Sequence, residues 1–373
     1  MREYQICSNC VMDTSDPEIV FDEQGVCNHC KIYKERAENE LRSGNAGRIE
    51  LNSIIDKIKA EGKGKNYDCV IGVSGGVDST YVAYIAKKLG LRPLAVHFDN
   101  GWNSELAVKN IENTLKKMDI DLYTKVVNWE EFRELQLDFL KASIINVEIP
   151  TDHAIMATLM QISAKYGIRN IILGGNIATE SSIPFSWTYE NRDSKIIKSI
   201  YSAFSHKKLK TVPLYGFLDL FFYLFIKRIR FFSILNYVNY NKDLAITTLE
   251  KELDWRPYGY KHGESVYTKF YQSYILPTKF NVDKRRAHLS SIINSRQMTR
   301  DEALQEIAKP YYASKESLEA DIDYVVKKLA IDRSAFDQIM ALPIRSYRDY
   351  PSNAWFFIGF KKIIAAVKKI ATI

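Results

Sequence analysis

The stretch Tyr67-Asp68-Cys69-Val70-Ile71-Gly72-Val73-Ser74-Gly75-Gly76-Val77-Asp78-Ser79-Thr80 constrains everything around it. Cys69 to Val73 has the length and composition of a strand. Ser74-Gly75-Gly76 breaks that run. From Val77 onward, Val82, Ile85, Ala86 and Leu89 recur at the spacing of one buried helix face. A strand, a glycine turn and a helix start make an anion site, because free backbone N–H groups and the positive end of the helix dipole aim at one point. Two glycines let the backbone approach a phosphate closely. Ser74, Ser79 and Thr80 add hydroxyl groups, and Asp78 is placed to hold a magnesium ion on phosphate oxygens.

The hexapeptide Ser-Gly-Gly-Val-Asp-Ser resembles the signature of the pyrophosphate-loop (PP-loop) ATPases. That resemblance implies ATP as ligand, pyrophosphate in the loop and transfer of AMP to a substrate oxygen. A Walker A loop is excluded, since no Lys-Ser/Thr pair follows the glycines, and no dinucleotide-binding fingerprint occurs.

The 373 residues suffice for two or three domains. With 46% hydrophobic and 26% charged residues, the composition is that of a soluble globular protein with an ample core. Fifty-two basic against 45 acidic residues leave a net charge of +7, which suits an anionic ligand such as a nucleotide without requiring nucleic acid. The opening Met-Arg-Glu-Tyr lacks the apolar core of a signal peptide. Cys7-Ser-Asn-Cys10 and Cys27-Asn-His-Cys30 form two knuckles with 16 residues between them, a spacing suited to one four-thiolate zinc site. An iron–sulfur cluster or a sulfur-transfer thiol pair are the competing readings. His29 is a neighbour rather than a ligand, because four sulfurs already complete the tetrahedron. This use of cysteine indicates a reducing cytoplasm.

Residues 31–66 read as a charged helix and linker punctuated by Gly44, Gly47 and Gly62-Lys63-Gly64-Lys65. Further strands are expected at Pro93–Asp99, roughly 121–127 and Asn170–Leu173. Helices are expected at roughly 103–118 and 130–142, with another starting at Asp152 and running to about Tyr166. This alternation implies an α/β fold with a doubly wound parallel sheet, whose ligands sit at the carboxyl ends of the strands. Those ends are Ser74–Asp78, Asp99–Trp102 and Gly174–Glu180. His97 is either a contact to adenine or a satisfied core histidine. Asp99 is a nucleotide contact or a turn residue. Asp152 is a plain N-cap, or it faces the nucleotide or the acceptor together with His153. Gly174, Gly175 and Asn176 complete the candidate cofactor set, with Glu180 as the nearest carboxylate.

Residues 184–250 look like an insertion. Leu214 to Ile226 is apolar and aromatic, and Lys227-Arg228-Ile229-Arg230 follows. The run is too short to span a membrane, so a buried or partner-facing helix pair is expected, with a membrane surface as the other possibility. Residues 253–303 are dense in Arg, Lys, His and hydroxyls, including Lys261-His262-Gly263-Glu264-Ser265 and Asp283-Lys284-Arg285, which suits a second polyanion such as a sugar nucleotide. From Trp355 to Ile373, Phe360, Ile363, Ile364, Val367 and Ile370 fall on one helical face, and Lys361, Lys362, Lys368 and Lys369 on the other. Such a basic amphipathic helix packs in a core or oligomer, or anchors on anionic lipid.

The Cys knuckles, the loop Ser74–Ser79, Asp152-His153, the 261–265 segment, Phe270-Tyr271-Gln272 and Asp283-Lys284-Arg285 together resemble the N-acetyl sugar amidotransferases, over roughly residues 1–310. The fold so implied is PP-loop-like (adenine nucleotide alpha hydrolase-like), with an N-terminal zinc knuckle and a mostly helical C-terminal region. The segments are 1–34 (zinc), 60–183 (ATP binding), 184–250 (hydrophobic insertion), 251–350 (acceptor binding) and 351–373 (basic tail). The implied reaction belongs to surface-glycan (lipopolysaccharide, O-antigen) assembly. AMP transfer activates the N-acetyl oxygen of a nucleotide-linked sugar, and ammonia from a separate glutaminase, with a cyclase-like companion subunit, forms an acetamidino group. Outside the knuckles the sole cysteine is Cys69, in an expected core strand, so a built-in Cys–His glutaminase is not expected. ATP, Mg2+ and Zn2+ are the expected cofactors. Asp78, Ser79, Lys261 and His262 are the candidate catalytic residues. Asp152, His153, Glu180, Lys261, His262, Glu264 and Arg285 are the candidate substrate ligands. Two other readings are a tRNA-modifying PP-loop enzyme of the thiolation type and a non-catalytic zinc- and nucleotide-binding scaffold.

Overall fold

The computed structural model describes residues 3–42, 44–258, 263–357 and 359. Five strands form one sheet in the order β3-β2-β1-β4-β5: β1 Cys69–Gly72, β2 Pro93–Asp99, β3 Asp121–Val126, β4 Asn170–Ile172 and β5 Arg230–Phe232. Every pairing is parallel, with Val70 opposite Leu94 on one side and Ile171 on the other. The order reverses between β1 and β4. Chains leaving neighbouring strands there turn to opposite faces, and a crevice opens at their carboxyl ends.

Helices α1 (Asn28–Glu40) and α2 (Gly44–Glu61) precede the sheet, and α3 (Val77–Lys88), α4 (Glu105–Met118), α5 (Trp129–Ala142) and α6 (Ile149–Lys165) alternate with its strands. The strand period of two divides the core accordingly. Cys69 and Ile71 face α2, α3 and α4 with Val82, Ala86 and Leu115. Val70, Leu94 and Val96 face α6 with Leu159 and Met160 on the opposite side. The sheet is thus doubly wound, as expected. Cys69 lies wholly inside it, and burial pushes its thiol above the usual range.

Two expectations are corrected. The helix around Asp152 begins earlier, at Ile149, with Pro150 in its first turn and Glu148 before it, so Asp152 is not the N-cap. The region expected to hold a helix pair instead supplies a strand. After α7 (Ile177–Glu180), α8 (Phe185–Thr188) and α9 (Ser194–Ser205), the short α10 (Phe217–Phe221) runs into a π-helical turn, Phe222–Ile226, and the chain then enters the sheet as β5. Arg230 is fixed there by Glu61 and by Asn170 of β4.

The remaining chain is helical: α11 (Lys242–Leu253), α12 (Val266–Phe270) continuing through a π-helical turn, Tyr271–Ile275, into α13 (Leu276–Phe280), then α14 (Arg285–Asn294), α15 (Arg300–Ala308), α16 (Lys315–Lys328) and α17 (Arg333–Ala341). Among the described residues no helix is long and apolar enough to cross a membrane. Residues 360–373, which hold most of the expected basic amphipathic helix, lie outside the described residues.

Candidate functional site

The loop after β1 begins with Ser74 and enters α3 through Gly76. Gly75 has φ +84°, a left-handed conformation that glycine adopts without strain. A Cβ there would also lie 2.8 Å from the carbonyl oxygen of Ala107. The Gly75 carbonyl is held from outside by the indole of Trp255 at 2.8 Å and the hydroxyl of Tyr258 at 2.9 Å. A trans peptide sends the next N–H the other way, and the Gly76 N–H donates to the Ser74 hydroxyl at 3.3 Å. Gly76 caps α3 without a side-chain acceptor. The first-turn amides therefore remain available to an anion. Ser74 and Ser79 stand 3.2 Å apart, oxygen to oxygen.

The end of β4 presses on the same turn. A Cβ on Gly174 would come within a tight 3.2 Å of the Ser79 nitrogen, so glycine eases the close approach of the β4 end to the start of α3. Between them opens a cavity of about 420 Å³, lined by Ser74, Gly76, Val77, Asp78, Ser79, Gly174, Gly175, Glu180, Lys242, Ile246, Trp255, Pro257, Tyr258 and Glu264. It lies at the switch point, at the carboxyl ends of β1 and β4. The Asp78 carboxylate accepts a hydrogen bond from the Tyr240 hydroxyl. Burial and that carboxylate both push the Tyr240 phenol far above its ordinary range, so it stays a donor.

Of the sequence-derived candidates, Ser74, Gly76, Asp78, Ser79, Gly174, Gly175, Glu180 and Glu264 meet at this cavity, and Gly75 shapes it. Others do not reach it. Thr80 is buried and its hydroxyl donates to the Gly76 carbonyl at 2.8 Å, so it tightens the helix start rather than facing a ligand. His97 donates from Nδ1 to the Val73 carbonyl at 2.8 Å and accepts from Asn103 at 3.0 Å, as a satisfied core histidine does. Asp99 accepts from the Gly101 amide and from Asn103, a turn role. Asn176 caps α7 through the Thr179 amide at 3.0 Å.

His153 is fully buried. Its Nδ1 donates to the Asn191 carbonyl at 2.9 Å, its Nε2 accepts from the Tyr215 amide at 3.1 Å, and its ring stacks on Tyr215. Burial lowers its pKa to about 4. Arg285 spends its guanidinium on Asp283 and on the carbonyls of Glu306, Ile307 and Lys309, stacked on Tyr311 at 3.9 Å. Both are held by framework contacts, and neither lines the cavity. Lys261 and His262 lie outside the described residues. Asp152 is exposed on α6 and does not line the cavity. The protein packed around its carboxyl, and then Glu148, push it up to about 7, while Lys284 pulls it the other way.

Sequence reasoning missed Tyr240, Lys242, Trp255 and Tyr258. Tyr240 and Lys242 lie in the stretch that reads as an insertion, and Trp255 and Tyr258 just after it. Their one available signal is the four aromatic residues from Tyr237 to Tyr258.

The four knuckle cysteines converge, with every sulfur within 4.8 Å of the others. Cys10 and Cys27 lie 3.6 Å apart, Cys27 and Cys30 3.7 Å, and Cys7 and Cys30 3.9 Å. Thiolates at about 2.3 Å around one tetrahedral zinc stand about 3.8 Å apart, so the donor set fits a single shared ion. An iron–sulfur cube would spread its thiolates over separate corners. His29 turns away and binds Asp16 at 2.7 Å, as a neighbour rather than a ligand. No other group of three or more His, Cys, Asp or Glu side chains converges in this way among the described residues.

These features amount to a parallel sheet with a glycine-rich anion turn at its switch point. A family model described as queuosine biosynthesis protein QueC matches residues 68–184, and one described as LPS biosynthesis protein WbpG-like, C-terminal domain, matches residues 264–364. Each match covers less than a third of the chain, so residues 68–184 are similar to a QueC domain and residues 264–364 to a WbpG-like C-terminal domain. No curated protein matches it. Similar solved structures include the U34-tRNA thiolase NcsA from Methanococcus maripaludis with its [4Fe-4S] cluster, 14% identical over 85% of this chain and 94% of that one, at a TM-score of 0.33. The NH3-dependent NAD synthetase from Campylobacter jejuni is 12% identical over 71% and 98%, at 0.30. The glutamine-dependent NAD+ synthetase from Acinetobacter baumannii is 13% identical over 88% and 51%, at 0.34.

Proposed function

We propose that the protein is an AMP-forming amidotransferase that converts the N-acetyl group of a nucleotide-linked sugar into an acetamidino group during surface-glycan assembly in the cytoplasm. One observation carries the reading. The cavity that holds the anion turn of the α/β domain is closed by Glu264, the first residue of the WbpG-like match, whose carboxylate would stand 3.3 Å from a Cβ on Gly76. The two matched regions thus share one reaction chamber, and the C-terminal region is described by its likeness to a lipopolysaccharide protein.

The chemistry suits the chamber. An amide oxygen is a poor leaving group. Its attack on the α-phosphorus of ATP releases pyrophosphate and leaves an imidate bearing AMP. Ammonia then adds to the imidate carbon, AMP departs with the former amide oxygen, and loss of a proton gives the amidine. The protein's contribution is positioning and charge neutralisation. The Ser74, Gly76 and Ser79 turn and the α3 amides cradle pyrophosphate, and Lys242 adds a cation. Asp78, in the turn itself, would be the residue to hold magnesium on the phosphate oxygens, where the ion would neutralise charge on the leaving pyrophosphate. Ammonia comes from a partner glutaminase accompanied by a cyclase-like subunit. The cysteine knuckles hold a structural zinc.

Purified protein given ATP, magnesium and ammonium is expected to release AMP only when a nucleotide-linked N-acetyl sugar is added. Asp78→Ala is expected to abolish that release without altering the metal content of the cysteine site. AMP release driven by tRNA instead would replace this reading with a tRNA-modifying one.

A further inference from the structure

We infer that the surface built by α10 and its π-helical extension is a docking face for an anionic lipid bilayer. The inference does not rest on the amidotransferase reading. From Phe217 to Ile226 the helix is apolar on both sides. Its inner side, with Leu220 and Tyr223, packs beside Phe231 of β5 and Tyr215. Its outer side presents Leu218, Phe221, Phe222, Phe225 and Ile226, which are 78%, 47%, 42%, 55% and 62% exposed. A helix that is hydrophobic all round has both sides covered in its working state. The neighbouring acid, Asp219, is turned to the Gly216 amide at 2.8 Å, where it closes the helix start.

Three features point to lipid rather than to a second protein. Phe221 and Phe225, both exposed, pair at 4.9 Å and form an aromatic ridge along the outer side of the helix. Such a ridge enters a headgroup layer without needing a matched groove. Exposed Lys227 and Arg228 follow directly, placing positive charge at the headgroup level. Finally, Phe356 stacks edge-on against Phe217 at 4.5 Å. This end of the C-terminal segment therefore lies beside the same helix, with Trp355 74% exposed. Residues 360–373 of that segment contain four lysines and no acidic residue. Aromatic rings flanked by lysines are the composition of the membrane interface.

The test is vesicle flotation of the full chain, with phosphatidylcholine alone and with added phosphatidylglycerol. Binding is expected only with the anionic lipid and is expected to weaken in high salt. The double substitution Phe221→Ser, Phe225→Ser is expected to lower affinity at least about tenfold, with an unchanged melting curve. Should that variant fail to fold, Leu218→Ser with Trp355→Ser, both highly exposed, is expected to give the same loss. Failure of the wild-type chain to float with either lipid would overturn the proposal, as would equal flotation of all variants. Self-association of the wild type that Phe221→Ser abolishes would assign the face to a second copy of the chain and overturn it equally.

Discussion

His153 shows how a residue that looks chemical in sequence can serve packing alone. Held at about 4 by burial, it takes up its proton far less readily than a histidine in the unfolded chain, near 6.5. The unfolded state thus binds more protons between those two values, and stability is lost as pH falls through that window and is complete above it. The full effect is of the order of 3 kcal/mol. Urea unfolding between pH 7 and pH 4 is expected to show this loss, and His153→Gln is expected to flatten it. At this scale the glycine turn was legible, because Gly75 and Gly76 are tied to backbone requirements that glycine meets best. His97, Asp99, His153 and Arg285 were not. Whether such a side chain faces a ligand or a nearby carbonyl depends on contacts such as Val73 and Asn191, 24 and 38 residues away.

At the scale of elements, α11 carries the largest surprise. Its N-terminus, capped by Asn241 on the Leu244 amide at 2.9 Å, brings Lys242 to the cavity wall. In the proposed function a lysine there would add a charge-assisted contact to phosphate worth about 1.5–3 kcal/mol. Lys242→Ala is therefore expected to slow AMP formation roughly 10- to 150-fold while leaving the melting temperature within a degree or two. Steady-state AMP release and calorimetry check both. β1, β2, β3 and β4 were readable because each is an apolar or alternating run bounded by turn residues. β5 was not: three residues, Arg230-Phe231-Phe232, follow a basic cluster and show no period. Its place in the sheet is fixed instead by pairing with β4 and by the link from Arg230 to Glu61.

Across the whole molecule, the knuckles bind the first residues of the chain to its far helices. Arg300 reaches the carbonyls of Cys7 and Cys10, at 3.0 and 3.1 Å. Arg286 pairs with Asp13 at 2.9 Å, and the Val11 amide donates to Ser290 at 3.2 Å. Losing the metal should therefore loosen α14 and α15 as well as the knuckle. Chelation or Cys10→Ser is expected to lower stability by at least about 3 kcal/mol and to raise amide exchange in Arg285–Asn294. Thermal melting and hydrogen-exchange mass spectrometry are the measurements.

That attachment also sets an order of events at the ribosome. The four thiols emerge first, yet the carbonyl anchors of Cys7 and Cys10 wait for Arg300, 290 or more residues later. At about 5–20 residues per second the wait is roughly 15–60 s. Throughout it the cysteines stand without their final support, accessible to metal delivery and to oxidation alike. The knuckle thus gains its full support only when it docks onto Arg300.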